Sequence, residues 1–365
     1  MKKSLLYLLL ALPILVHAEP AKQWSPEKAN EWYAKQPWPI GANYVPASAI
    51  NQLEMWQAET YDPKRIDLEL GWAESLGFNT MRVFLHDIPW KTDSDAYLKR
   101  IDGFLTICEK HKIRPMFVFF DSVWNPVVKA GKQPEPRPFV HNSGWVQSPG
   151  AEILKDPEHF DSLKPYVYGV IHHFRNDDRI FAWDLFNEPN NDNGGRFTET
   201  EAKDKFAKVL ILLKKTFEWA REAEPSQPIS SGVWNGDLKK MDEFDHFQLE
   251  NSDIINFHIY SNLEKTKERV EILKRYHRPL ICTEYMARPE GSTFEAILPY
   301  FAEQKIGAYN WGFVNGKSQT IFPWDSWTKE YKGEPELWFH DIFRHDGTPY
   351  KQDEVDLIRS LTKPN

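Results

Sequence analysis

The chain has 365 residues, a formal net charge of −8 and only two cysteines, Cys108 and Cys282. These values exclude a disulfide scaffold, and with no stripe of Lys or Arg they argue against nucleic acid as a partner. Both cysteines sit in apolar runs, so two buried free thiols are expected rather than one bridge.

The N-terminus reads as an export signal over residues 1–18. Lys2 and Lys3 supply the positive charge, residues 5–16 form an apolar run, and Val16-His17-Ala18 ends it with a small residue. The run falls short of the roughly 20 residues that a spanning helix needs, and nothing later in the chain resembles one. Residues 19–365 are therefore expected as one exported domain, periplasmic or extracellular, monomeric and without a membrane partner once the signal is cleaved.

Eight apolar runs of strand length follow in order: 39–45, 78–85, 114–121, 180–188, 228–234, 254–260, 278–285 and 306–313. Helical patterns lie between them. Asp62-Pro63 supplies a cap and a first-turn proline before a helix that stops at Gly77. Leu98, Ile101, Leu105 and Cys108 recur at spacings of three and four. The same pattern marks 205–223, 264–277 and 293–307. Strands that are apolar throughout, alternating with helices, predict a parallel sheet covered on both faces. Eight such units predict an α/β fold, a single-domain (β/α)8 TIM barrel. A doubly wound open sheet is the alternative, but no glycine-rich phosphate turn follows the first strand. Two long connections, 122–150 and 314–335, are placed at the C-terminal rim of the barrel.

Barrel enzymes carry their chemistry at the C-terminal ends of strands. Here those ends offer Arg82, Asn187, Glu188, His258, Tyr260, Glu284 and Trp311. Glu188 and Glu284 stand on strands four and seven, across the barrel from one another. A pair of carboxylates flanking a sugar-sized gap is the equipment of glycoside hydrolysis, one protonated to release the leaving oxygen and one ionised to attack. Arg82 and Tyr260 are candidates to keep one of them charged. Aromatic residues reach 14%, with 15 Trp; flat rings suit the apolar faces of sugars and also build cores, so Trp124, Trp145, Trp324 and Trp327 fit either use. His172-His173 point to different sides of a helix, no HExxH or paired-Cys motif exists, and Gly316-Lys317-Ser318 lacks the rest of a phosphate loop. Neither a metal nor a cofactor is expected, since two carboxylates suffice.

Asn187-Glu188-Pro189, His258-x-Tyr260, Glu284 and Trp311, with Arg82 upstream, resemble the site of a clan A glycoside hydrolase. The chain is most similar to family 5, the cellulase and mannanase family, over roughly 36–350. The resemblance implies that Glu188 is the acid/base and Glu284 the nucleophile of a retaining β-glycosidase acting on β-linked polysaccharide or oligosaccharide. It implies that Asn187 meets the sugar 2-hydroxyl and that Tyr260 and Arg82 support Glu284. His258 would contact substrate or the acid/base, and Trp311 would form the sugar platform. Where many family members carry a histidine, strand three ends in Phe119-Phe120-Asp121, and the following loop with Trp124 and Asn125 is the candidate replacement, Trp124 for substrate contact. A carbohydrate-binding protein with an impaired site, or a transglycosylase, are the alternative readings.

Overall fold

The computed structural model describes residues 22–234 and 236–363; the export signal over 1–18 lies outside the described residues. Each of the eight apolar runs contains a strand. They are β1 (Ile40–Tyr44), β2 (Thr80–Phe84), β3 (Met116–Asp121), β4 (Ala182–Asn187), β5 (Ile229–Ser230), β6 (Ile255–His258), β7 (Leu280–Tyr285) and β8 (Gly307–Asn310). All pairings are parallel, in the order β5-β4-β3-β2-β1-β8-β7-β6. The ring closes between β5 and β6 through a single bridge, where Val233 N–H donates to Asn256 O (3.1 Å) and Val233 O accepts from His258 N–H (2.9 Å). The molecule is a (β/α)8 barrel, and among its described residues no helix is long and apolar enough to cross a membrane.

The helices start where capping chemistry places them. Asp62 accepts from Arg65 N–H at 3.0 Å at the head of Pro63–Ser75, and Thr293 accepts from Ala296 N–H at 3.2 Å at the head of Phe294–Gln304. Their apolar faces bury against the outer face of the strands. Trp56, Trp183, Phe104 and Phe117 are fully enclosed there, with Trp56 against Phe104 (5.5 Å) and Phe117 against Trp183 (5.9 Å). Each such side chain contributes roughly 1.5–3 kcal/mol by leaving water. A second, small cluster of Met116, Ala182, Ile281 and Tyr309 fills the inside of the barrel. Trp32 and Tyr33 of the helix Pro26–Ala34 pack onto it.

Strand alternation along Cys282 and Glu284 predicts that Cys282 fills the barrel beneath Glu284. The structure corrects this. Cys282 packs in the outer core, and Ile281 takes the inner place. The pairing of β6 with β7 slips at this point, Phe257 opposing Cys282 and His258 opposing Glu284, so Thr283 is the extra residue of a bulge. A bulge turns the following side chain to the other face, which swings Glu284 into the barrel mouth. Both cysteines are free and buried.

Gly41 shows how closely β1 approaches β2. It lies opposite Thr80, and a Cβ placed on it would sit 1.9 Å from Thr80 O. Gly41→Ala should lose about 1–3 kcal/mol of stability from overpacking, read as a lower midpoint of urea unfolding with an unchanged slope.

Candidate active site

Arg82 lies in the middle of β2 and is wholly buried. A buried guanidinium requires partners for its whole fork of donors. They come from three other strands. Nε donates to Asp184 Oδ2 (2.9 Å), Nη1 to Asn43 Oδ1 (2.9 Å) and to Glu284 Oε1 (2.8 Å), and Nη2 to Asn187 Oδ1 (2.8 Å). Arg82, expected to support Glu284 and grouped with the substrate-binding residues, sits beneath the mouth and bonds both Glu284 and Asn187.

Glu284 has both carboxylate oxygens engaged. Oε1 faces Arg82, and Oε2 accepts from the Tyr260 hydroxyl at 2.7 Å. Burial raises its pKa, and the neighbouring Glu188 raises it further, while Arg82 and the Tyr260 hydroxyl oppose both. His258 also faces it at 3.5 Å, but burial holds the imidazole neutral, its pKa pushed down to about 3, so the positive charge beside Glu284 is that of Arg82.

Glu188 follows the last residue of β4 with a left-handed backbone, φ 43°. That conformation is uncommon for a residue with a Cβ and clusters at functional sites. Its Oε1 shares a hydrogen bond with His258 Nδ1 (2.8 Å), and its Oε2 accepts from Asn191 Nδ2 (2.6 Å). Both partners are neutral, and no cation touches it. Burial therefore dominates and pushes its pKa up to about 7. One oxygen of Glu188, one of Glu284 and a ring nitrogen of His258 all lie within 4.8 Å of one another. Among the described residues this trio is where ligand atoms for a cation would come together, and Arg82 already provides positive charge at Glu284.

Asn187 is held from both ends. Its Oδ1 accepts from Arg82 and its Nδ2 donates to Asp121 Oδ1 at 3.0 Å. Asp121 accepts in turn from Trp145 Nε1 (2.7 Å) and Val123 N–H (2.9 Å), and burial pushes its pKa up to about 6. One proton of the Asn187 amide stays free to face the cavity. That cavity holds about 340 Å³ and is lined by Asn187, Glu188, Tyr260, Glu284, Trp311 and Trp124, with Asp121, Trp145 and Trp324 among its walls.

The structure thus brings together all eight site residues read from the sequence. Arg82 and His258 alone do not line this cavity; they stand behind the two glutamates. Trp327 stacks behind Trp124 at 5.0 Å. Asn43, Asp121, Asp184, Asn191 and Trp234 were not singled out as site residues by sequence reasoning. Asn43 and Asp184 are polar residues inside apolar strand runs, and Asn191 follows Glu188 by three; each is a readable signal.

Residues 184–316, from within β4 to just past β8, match a family model described as the glycosyl hydrolase catalytic core. No curated protein sequence matches the chain. Several solved structures share its fold. A GH5_18 protein from Streptomyces cattleya, in complex with GlcNAc, aligns with a TM-score of 0.57 at 11% identity, over 88% of this chain and 79% of that one. The endo-β-1,4-mannanase from Thermotoga petrophila gives 0.55 at 13%, over 90% and 77%. An exo-β-1,4-mannosidase from Opitutaceae bacterium strain TAV5 gives 0.54 at 20%, over 90% and 60%.

A carboxyl group that titrates near 7 beside the cavity predicts a pH dependence. As the pH rises past about 7 the group ionises; if it serves as a proton donor, kcat/KM on an unactivated oligosaccharide should fall on the alkaline side with an apparent pKa near that value. A rate that stays level up to pH 9 would contradict that use of Glu188.

Proposed function

We propose that this glycoside hydrolase, which resembles family 5 of clan A, is an exported retaining β-glycosidase that works by double displacement between Glu188 and Glu284. The observation that carries the reading is the asymmetry of the pair. Glu284 is in contact with a guanidinium and a hydroxyl, both of which favour its ionised form. Glu188 has only neutral partners, a pKa pushed up to about 7, and therefore keeps a proton to give. Environments that separate two carboxylates assign the acid and the nucleophile.

In the first step Glu284 attacks the anomeric carbon while the glycosidic C–O bond breaks and its oxygen takes the proton of Glu188. In the second, water attacks the glycosyl-enzyme bond and returns a proton to Glu188. The close approach of the two carboxylates, within 4.8 Å by their nearer oxygens, supports retention, for which carboxyl groups stand about 5–5.5 Å apart. Inversion uses a gap of about 6.5–9.5 Å to admit a water. Asn187, fixed by Arg82 and Asp121, has a free amide proton for the sugar 2-hydroxyl, and Trp311 offers its ring to the sugar face. The sequence supports an export signal over 1–18, which suits a substrate outside the cytoplasm. The mannan- and mannoside-cleaving proteins that share this fold make β-mannosides the first substrates to try.

Three variants test the reading on a panel of β-mannan, β-glucan, xylan and aryl β-glycosides. Glu188→Ala should lower kcat by about 10²–10⁴ on natural linkages, and Glu284→Ala should remove turnover. Tyr260→Phe, which deletes one hydrogen bond to the charged form of Glu284, should cost about 10–100-fold in kcat with folding intact. NMR of the first product should find the β-anomer; an α-anomer, or full activity in Glu284→Ala, would defeat the assignment.

A further inference from the structure

A second cavity, of about 470 Å³, opens on the other side of Glu188. Glu188, Trp234 and Tyr260 line both cavities. Glu284, Asn187 and Trp311 line only the first; His258, Leu238 and Lys265 line only the second. This partition gives the substrate a direction, provided that the two glutamates act as proposed above. The sugar whose anomeric carbon bonds to Glu284 must lie in the first cavity. The leaving group, which keeps the oxygen protonated by Glu188, has the second cavity open to it on the other side of that carboxyl.

The two sides differ in where they lead. The second cavity runs outward past Asp237, Lys239, Lys265 and Glu268, all exposed. The first ends in a wall. Trp145 and Trp311 pack edge to face on Phe84, at 5.1 and 5.9 Å, and at 6.1 Å from each other. Behind them, over the ends of β1, β2 and β8, the remaining space is about 20 Å³. That volume suits a single water, for which about 10–15 Å³ is needed, and no sugar ring.

Three loops fastened together form the flank of the first cavity, which meets solvent at Asp192, Gly194 and Arg196, all exposed. Asn142 N–H donates to Ser318 O (2.8 Å), His141 N–H to Ser326 Oγ (2.9 Å) and Trp124 N–H to Asn193 Oδ1 (2.7 Å). Trp124 and Trp327 stack, and the Arg196 guanidinium lies over both rings at 5.6 and 5.8 Å. The volume left, about 340 Å³, is at the small end of ligand sites, roughly 300–1,000 Å³.

We propose that the enzyme is exo-acting: it removes one sugar residue at a time from the non-reducing end of a β-linked chain. The first cavity holds that terminal residue alone, and the rest of the chain extends through the second. In each cycle the terminal C1–O bond breaks, C1 passes to Glu284 and then to water, and the shortened chain leaves with the proton from Glu188.

The test uses linear β-1,4-linked tetrasaccharides of mannose, glucose and xylose, each with a fluorescent tag at the reducing end, and an aryl β-monoglycoside of each sugar. At early conversion the expected products are an untagged monosaccharide and a tagged trisaccharide, and nothing else. A 4,6-O-benzylidene cap on the non-reducing terminal residue of the mannose or glucose chain should slow cleavage on the order of tenfold or more. Tagged mono- or disaccharide among the first products, or a capped chain cut at the uncapped rate, would overturn exo action and leave the two-glutamate reading standing. Failure to cleave either the aryl glycosides or the tetrasaccharides would overturn that reading and the exo proposal with it.

Discussion

The site depends on one buried guanidinium. Arg82 has no access to water, and a charge in that position is tolerated only when its donors are matched by partners. Asn43, Asp184, Asn187 and Glu284 supply those partners from β1, β4 and β7. The same bonds that satisfy Arg82 fix the rotamers of Asn187 and Glu284, so the polar layer of the barrel and the geometry of the reacting groups are one structure. Removal of Arg82 would leave Asp184 and Glu284 as two buried acids without a cation, which is worse than losing either contact alone.

Much of this was legible in the sequence. The eight apolar runs each gave a strand, because a strand covered on both faces must be apolar throughout. Both glutamates stood at strand ends, and Arg82 and Tyr260 were readable as supports for one of them because a guanidinium and a hydroxyl both favour the ionised form of a carboxylate. The remainder depended on contacts that no local pattern encodes. Asn43 and Asp184 meet Arg82 across 39 and 102 residues of chain. The bulge at Thr283 breaks strict alternation, so the period of two, counted back from Glu284 at the strand end, wrongly placed Cys282 inside. Asp121, at the strand end where many family 5 members carry a histidine, keeps the amide of Asn187 oriented through a hydrogen bond of its own.

The loops divide the labour differently from the strands. The strands set the reacting groups, while the segments 122–150, 188–201 and 314–335 set the shape of the space beside them. Trp145 belongs to both, since its ring walls the cavity and its indole N–H holds Asp121. A change in these loops would alter which part of a sugar chain can enter while leaving the charge pair untouched, which is how barrels of one fold come to differ in substrate.

The burial of Glu188 also has a thermodynamic side. In the folded chain this group holds its proton up to about pH 7, whereas its ordinary value is 4.5. Between those two values the native state binds a proton that the unfolded state has released, so unfolding gains in favour as the pH rises through that window. At about 1.4 kcal/mol per pH unit, the whole effect is about 3 kcal/mol, a sizeable share of the 5–15 kcal/mol by which a domain is usually stable. Asp121, pushed up to about 6 by the same cause, acts in the same direction. The desolvation that keeps a transferable proton at the barrel mouth therefore also makes these two carboxyl groups favour the folded chain at lower pH, while the buried imidazoles of His258 and His141, pushed down to about 3 and about 4 by the same cause, act in the opposite direction.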